Sequence, residues 1–279
     1  MIYCKELEQN FNTKEELFKS LRENETKILD IKKAAVHKSI DKGQGLKANY
    51  DSIDSEVVKA DATFKDGFIY PVINTIGILD SHNDLHISGL WNKSVREQQG
   101  KVFYVADHEL ETTKVITWKD DVKMLVKDVS WSMVGKPYEG KTQALIFEID
   151  ESKIRLEAAK NIIRDKKDVE NSVRMKYYNI VLCYDSDKDE DKQYKKNFDK
   201  YYPMIANKDE VGEIMYFYAV LEAGIVSEGS MVLMGSNDAT RVVQVKDEPL
   251  KDTQTKDEEA VSSHHDTLDS DQLNIYNFN

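Results

Sequence analysis

The chain has 279 residues, 40% hydrophobic and 32% charged, with 39 Lys and Arg against 51 Asp and Glu. A chain this long buries roughly 70–75% of its unfolded surface without staples, and fourteen Tyr, nine Phe and three Trp exclude a wholly disordered polymer. A net charge of −12 argues against a general binder of nucleic acid or anionic membrane.

No run of about 18 apolar residues marks a membrane span, and Met1 to Glu6 turns charged at once, without an apolar signal core. Cys4 and Cys183 are too few for a disulfide framework or a Cys-rich zinc site. These features predict a soluble intracellular protein with two ordinary thiols.

In chain order, Thr13 followed by Glu16 forms a capping-box pattern. Leu17, Phe18 and Leu21, then Ile28, Leu29 and Ile31, fall on helical faces. Lys38 to Asp54, with Gly43 and Gly45, reads as a loop. Residues 1–50 are therefore expected to be a helical arm, separable from the main domain. From about Lys65 the texture turns to strand: Phe68 to Ile73, Ile76 to Leu79, Lys101 to Val105, Val115 to Trp118, Val122 to Val126 and Ala144 to Ile149. This spacing predicts an antiparallel sheet or barrel over residues 51–245 rather than βαβ units. Glu151 to Glu170 and Lys188 to Ile205 read as helices. Val173 to Tyr184, Met215 to Val226 and Met231 to Met234 read as strands. The segment 246–279 holds nine acids and three Lys and is expected to be a disordered acidic tail, with Leu273 to Phe278 either a frayed end or a docking peptide.

Several chemistries lack their motif. Asp185, Asp187, Asp189 and Asp191 alternate, but a calcium loop needs Gly at position six and Glu at twelve, where Glu190 and Lys196 stand. No Walker A, G-x-G-x-x-G or G-x-S-x-G pattern occurs. Asp80, His82, Asp84 and His86 would share one face if extended, and two imidazoles with two carboxylates suit a hard or borderline metal. The plainer reading is a polar strand end before Gly89.

His108 ends an apolar strand in Ala106-Asp107-His108-Glu109, and Ser172 stands at a helix-to-strand junction in Asn171-Ser172-Val173-Arg174-Met175. A serine hydroxyl needs a base, and the base an orienting third group. Spacing alone does not bring the two together, and a polar strand end and a cap remain open readings for them.

Asp80 to Leu110, with Asp84, Gly89, Ser94 and the ending Asp107-His108-Glu109, resembles the capsid-maturation (prohead) protease family of tailed bacteriophages. Ser172 to Tyr177 resembles that family's serine strand, Ala219 to Val226 its final strand and Gly229 to Asn237 its closing segment. Thr13 to Phe18 is similar to the leader of versions from phages of Bacteroidetes-type hosts. The match covers about residues 65–240 in the right order.

The resemblance implies an α+β fold related to herpesvirus assemblin: a mostly antiparallel β-barrel with flanking helices. It implies a serine endopeptidase with Ser172 as nucleophile, His108 as base and Glu222 as orienting acid, with Asp107 and His82 as rivals for that third place. Backbone amides near Ser172, or Arg174 through water, would hold the oxyanion. The sequence departs from the family in Asn171, where relatives carry His, and in Arg174, where they carry Gly.

The implied partners are the phage major capsid protein and scaffold protein, with self-association and self-cleavage allowed. No membrane, specific nucleic acid, metal or cofactor is expected. The implied place of action is the assembling prohead in the host cytoplasm. The alternatives are a structural head or scaffold component with reduced catalysis and, further off, a metal-dependent hydrolase built on Asp80, His82, Asp84 and His86.

Overall fold

The computed structural model describes residues 1–37 and 64–244. The expected Lys38–Asp54 loop lies outside them. So do the acidic tail, 246–279, and the Leu273–Phe278 segment within it.

The chain opens not with helix but with a hairpin, β1 (Ile2–Cys4) against β2 (Gln9–Phe11). Helix α1 (Lys14–Glu23) follows, and the Thr13 side chain accepts the Glu16 N–H while the Glu16 carboxylate accepts the Asn12 N–H. This ties off N-terminal amides that the helix itself leaves unsatisfied. Helix α2 (Glu25–Ala34) continues from it. Leu17, Phe18, Leu21 and Ile28 are buried in the principal core, beside Val173, Tyr184 and Tyr218. These helices are part of the body, and the expected separable arm is corrected for residues 1–37. The reason is their apolar stripe, which the core covers.

Two larger sheets follow. One runs β11 (Val242–Gln244), β3 (Phe68–Thr75), β8 (Lys141–Asp150), β7 (Lys123–Ser130), all antiparallel. The other is organised by β10 (Tyr216–Val232). Along one edge β10 pairs antiparallel with β9 (Glu170–Tyr184). Along the other it pairs in parallel with β4 (Asp84–His86) and further on with β5 (Phe103–Ala106), which pairs with β6 (Val115–Thr117). Helices α3 (Asn92–Gln98), α4 (Glu157–Arg164), α5 (Lys192–Tyr201) and the short α6 (Lys208–Val211) complete the described α-helices.

The architecture is mixed α+β, and among the described residues no sheet closes into a barrel. The expected barrel is corrected. The two large sheets end in separate edges and instead share one core, where Ile69, Ile73, Leu145 and Phe147 meet Tyr104, Val173 and Tyr218. Gly229 marks their close approach: a Cβ there would stand 2.6 Å from Phe147 Cε2. The other face of β10 at this point carries the candidate site.

Candidate functional site

The site is assembled where β9, β10 and the end of β5 run side by side. Ser230 is the hub: it lies opposite Ser172 of β9 and opposite Val105 of β5. Directly paired residues project to the same face, so Ser172 and Ser230 share one, and alternation adds Arg174. Asn171 projects to the other face. There Tyr104 donates its hydroxyl proton to Asn171 Oδ1 at 2.7 Å, so the Asn171 side chain is a core contact rather than a neighbour of the serine side chain.

Glu228 reaches this face through an irregularity. Between Ile225 and Gly229 the pairing register shifts, while β9 advances only from Met175 to Val173. Extra residues thus accumulate on β10, as in a bulge, which re-aims a side chain. Ser227, just before the acid, is left-handed at φ 69°.

Beyond β5 the chain turns sharply, and Asp107 (φ 55°) and His108 (φ 57°) are consecutive left-handed residues. For non-glycine residues this costs about 1–2 kcal/mol each, and such conformations concentrate at functional sites. Ladder-like contacts hold the turn: Asp107 N–H donates to Met231 O at 2.9 Å, and His108 N–H to Ser230 Oγ at 2.8 Å.

The His108 ring then meets Glu228, with Nδ1 2.9 Å from Oε1. Both side chains are buried, Glu228 completely. An ionised carboxylate only accepts, so Nδ1 is the donor in this contact, and in the neutral ring that leaves the lone pair on Nε2. Nε2 is buried without a partner, and so is Glu228 Oε2. The Ser172 hydroxyl is not hydrogen-bonded to Nε2. Arg174 places Nε 3.0 Å from Glu228 Oε1 and donates from Nη2 to His108 O at 2.7 Å. The guanidinium, one of the two oxyanion donors that the resemblance allows, thus contacts the acid and the histidine backbone.

Of the sequence candidates, His108 and Ser172 are brought to one hub. Glu222 is not. It lies on β10 between two earlier register shifts, partly exposed, and is ion-paired with Lys93 at 2.8 Å. The acid facing His108 is Glu228. Its signal was present in Ser227-Glu228-Gly229-Ser230, a polar interruption inside an apolar run. Asp107 is exposed and next in chain to the histidine, and His82 lies elsewhere, its Nδ1 3.0 Å from Lys5 Nζ.

The Asp80–His86 segment forms a turn into β4 rather than a ligand face. Asp80 Oδ1 accepts the His82 and Asp84 N–H groups at 2.8 and 2.9 Å. Asp84 pairs with Lys32 Nζ at 2.6 Å and accepts the Tyr177 hydroxyl at 3.0 Å. His86 Nδ1 lies 3.1 Å from Asn74 Nδ2, and burial pushes its imidazole down to about 4. Burial, reinforced by Asp84, pushes the Asp80 carboxyl up to about 7. With a lysine ammonium where a cation would sit, these donors are already spent. Among the described residues no three His, Cys, Asp or Glu side chains group as metal ligands do. Also among them, no helix is long and apolar enough to cross a membrane.

No protein-family model, curated protein or solved structure matches this chain.

Proposed function

We propose that the chain is a serine endopeptidase of the phage prohead-maturation type, with Ser172 as nucleophile, His108 as base and Glu228, in place of Glu222, as orienting acid. The observation that carries it is the buried His108 Nδ1–Glu228 Oε1 contact at 2.9 Å, on a strand hub that Ser172 shares. An acid on Nδ1 fixes the imidazole tautomer and stabilises the imidazolium formed when Nε2 takes the serine proton. Ser172 Oγ then bonds to the scissile carbonyl carbon, and His108 returns its proton to the leaving amine. The missing Ser172–His108 hydrogen bond agrees with the looser geometry of such pairs without substrate. By the resemblance, the substrates are scaffold and capsid-protein segments.

One observation favours a second reading, a head component that keeps the fold without catalysis: His108 and Ser172 are only 3% and 7% exposed. Intact-mass measurement over time separates the two. Wild type incubated alone and with the scaffold protein should give fragments, absent with Ser172→Ala and His108→Ala. Stable masses throughout would support the structural component, and equal fragmentation in all three proteins would overturn the site assignment.

A further inference from the structure

Arg174 stands on the same strand as Ser172 and reaches back to both other members of the site. Its Nη2 donates to the His108 carbonyl at 2.7 Å. Its Nε lies 3.0 Å from Glu228 Oε1, the same oxygen that faces His108 Nδ1. The Nε–H does not point at that oxygen, so the contact is an ion pair rather than a hydrogen bond. The Arg174 side chain is 21% exposed and Glu228 is fully buried. A buried carboxylate needs a charged or hydrogen-bonding partner, and here one carboxylate oxygen serves a guanidinium and an imidazole together. The same guanidinium grips the backbone of a histidine held left-handed at φ 57°.

We propose that Arg174 is a positioning residue that clamps the Glu228 carboxylate and the His108 backbone onto the serine strand, and that it sets the pH at which His108 can accept the serine proton. The inference rests on the endopeptidase reading for its catalytic consequence, but the clamp itself is a property of the fold.

Two effects follow, one of geometry and one of charge. The planar fork that spans Glu228 and His108 O is not reproduced by an ammonium. The charge of Arg174 offsets that of Glu228, so its removal leaves the carboxylate to act on the imidazole alone. An opposite charge at contact distance favours the protonated ring, so proton acceptance should then require higher pH. Among the described residues, the charged groups in contact with His108 are Glu228 from β10, at its ring, and Arg174 from β9, at its carbonyl. Its exposed chain neighbours are Asp107 and Glu109, the latter paired with Lys114 at 3.2 Å.

The test compares wild type, Arg174→Lys and Arg174→Met by two readouts. The first is the rate of labelling by a fluorophosphonate between pH 5 and 9. In that reaction Ser172 Oγ bonds to phosphorus, fluoride leaves and the hydroxyl proton passes to His108 Nε2. The second is the titration of the His108 ring by nitrogen NMR, which needs no activity. Arg174→Met should move the acidic limb of labelling and the ring titration upward by about one pH unit and lower the plateau rate at least tenfold. Arg174→Lys should hold the limb within a few tenths of a unit while still losing plateau rate.

Labelled wild type with unchanged profiles in both variants would overturn the clamp. A shifted ring titration without any Ser172 labelling would keep the clamp and overturn the endopeptidase reading. An unshifted titration without labelling would overturn both. If Arg174→Met fails to fold, Arg174→Lys together with Arg174→Gln carries the same comparison.

Discussion

Glu222 and Glu228 occupy one strand and have opposite fates. Glu222 meets a lysine at the surface, where an ion pair is worth about 0–1 kcal/mol. Glu228 is fully buried against His108, where loss of the charge strands a tautomer. Glu228→Gln should therefore slow fluorophosphonate labelling of Ser172 by about 10³–10⁴-fold, as amide-for-carboxylate changes do in such triads. Glu222→Gln should leave it within twofold, and labelling kinetics read both.

A second residue-scale prediction concerns His86. Its imidazole is held down to about 4 by burial, below the ordinary 6.5 of the unfolded chain. The unfolded state takes the proton first, so this stability is present above pH 6.5 and lost as pH falls toward 4. The loss amounts to about 3 kcal/mol over that window. His86→Gln should flatten that part of the stability–pH curve in denaturant titrations; an unchanged slope would place the acid sensitivity elsewhere.

At the scale of elements, the site depends on β10 being one strand. The sequence reads as two, 215–226 and 231–234, because Ser227, Glu228 and Gly229 interrupt the apolar run. The structure carries pairing through the interruption, to Val232, and uses it to turn the acid inward. His108 and Ser172 were singled out because a polar residue closing or opening a strand stands out against apolar neighbours, while their pairing was implied by the resemblance alone. Glu228 was not, because a shifted register cancels the period-two rule that assigns faces. The helical elements 14–23 and 25–34 were legible from caps and periodicity. Their place was not, because which surface an apolar stripe meets depends on contacts remote in sequence.

Those contacts make strong tests. Lys32 is buried against Asp84 at 2.6 Å and joins α2 to β4. Lys32→Met leaves an uncompensated buried carboxylate and should cost about 3–5 kcal/mol, seen as a lower denaturant midpoint. Gly229→Ala would drive a Cβ to 2.6 Å from Phe147, between the two sheets. It should cost about 1–3 kcal/mol by overpacking, with Ser172 labelling falling in step because Glu228 and Ser230 flank it. A stable variant with wild-type labelling would mean that the sheets have slack at this point.

Across the whole molecule, composition bounded the chain to one that forms a core, strand spacing left open sheet or barrel, and the α+β class implied by the resemblance holds where its closed barrel does not. Short strands at regular intervals are compatible with either closure or two facing sheets. The choice is made by ladders between distant strands, such as β10 with β4 and β5, which no local pattern encodes. The same holds for the site, whose members come from residues 108, 172, 174 and 228 and meet only through those ladders. The functional account therefore stands on geometry at one hub together with a resemblance in motif order.

Peptide mapping after fluorophosphonate treatment tests that hub most directly, using wild type beside His108→Ala and Glu228→Gln. The account predicts an adduct on Ser172 in wild type, formed faster as pH rises through neutrality and lost or slowed at least a hundredfold in both variants. Intact folded wild type that stays unmodified at Ser172, or an adduct formed equally fast in all three proteins, would contradict it.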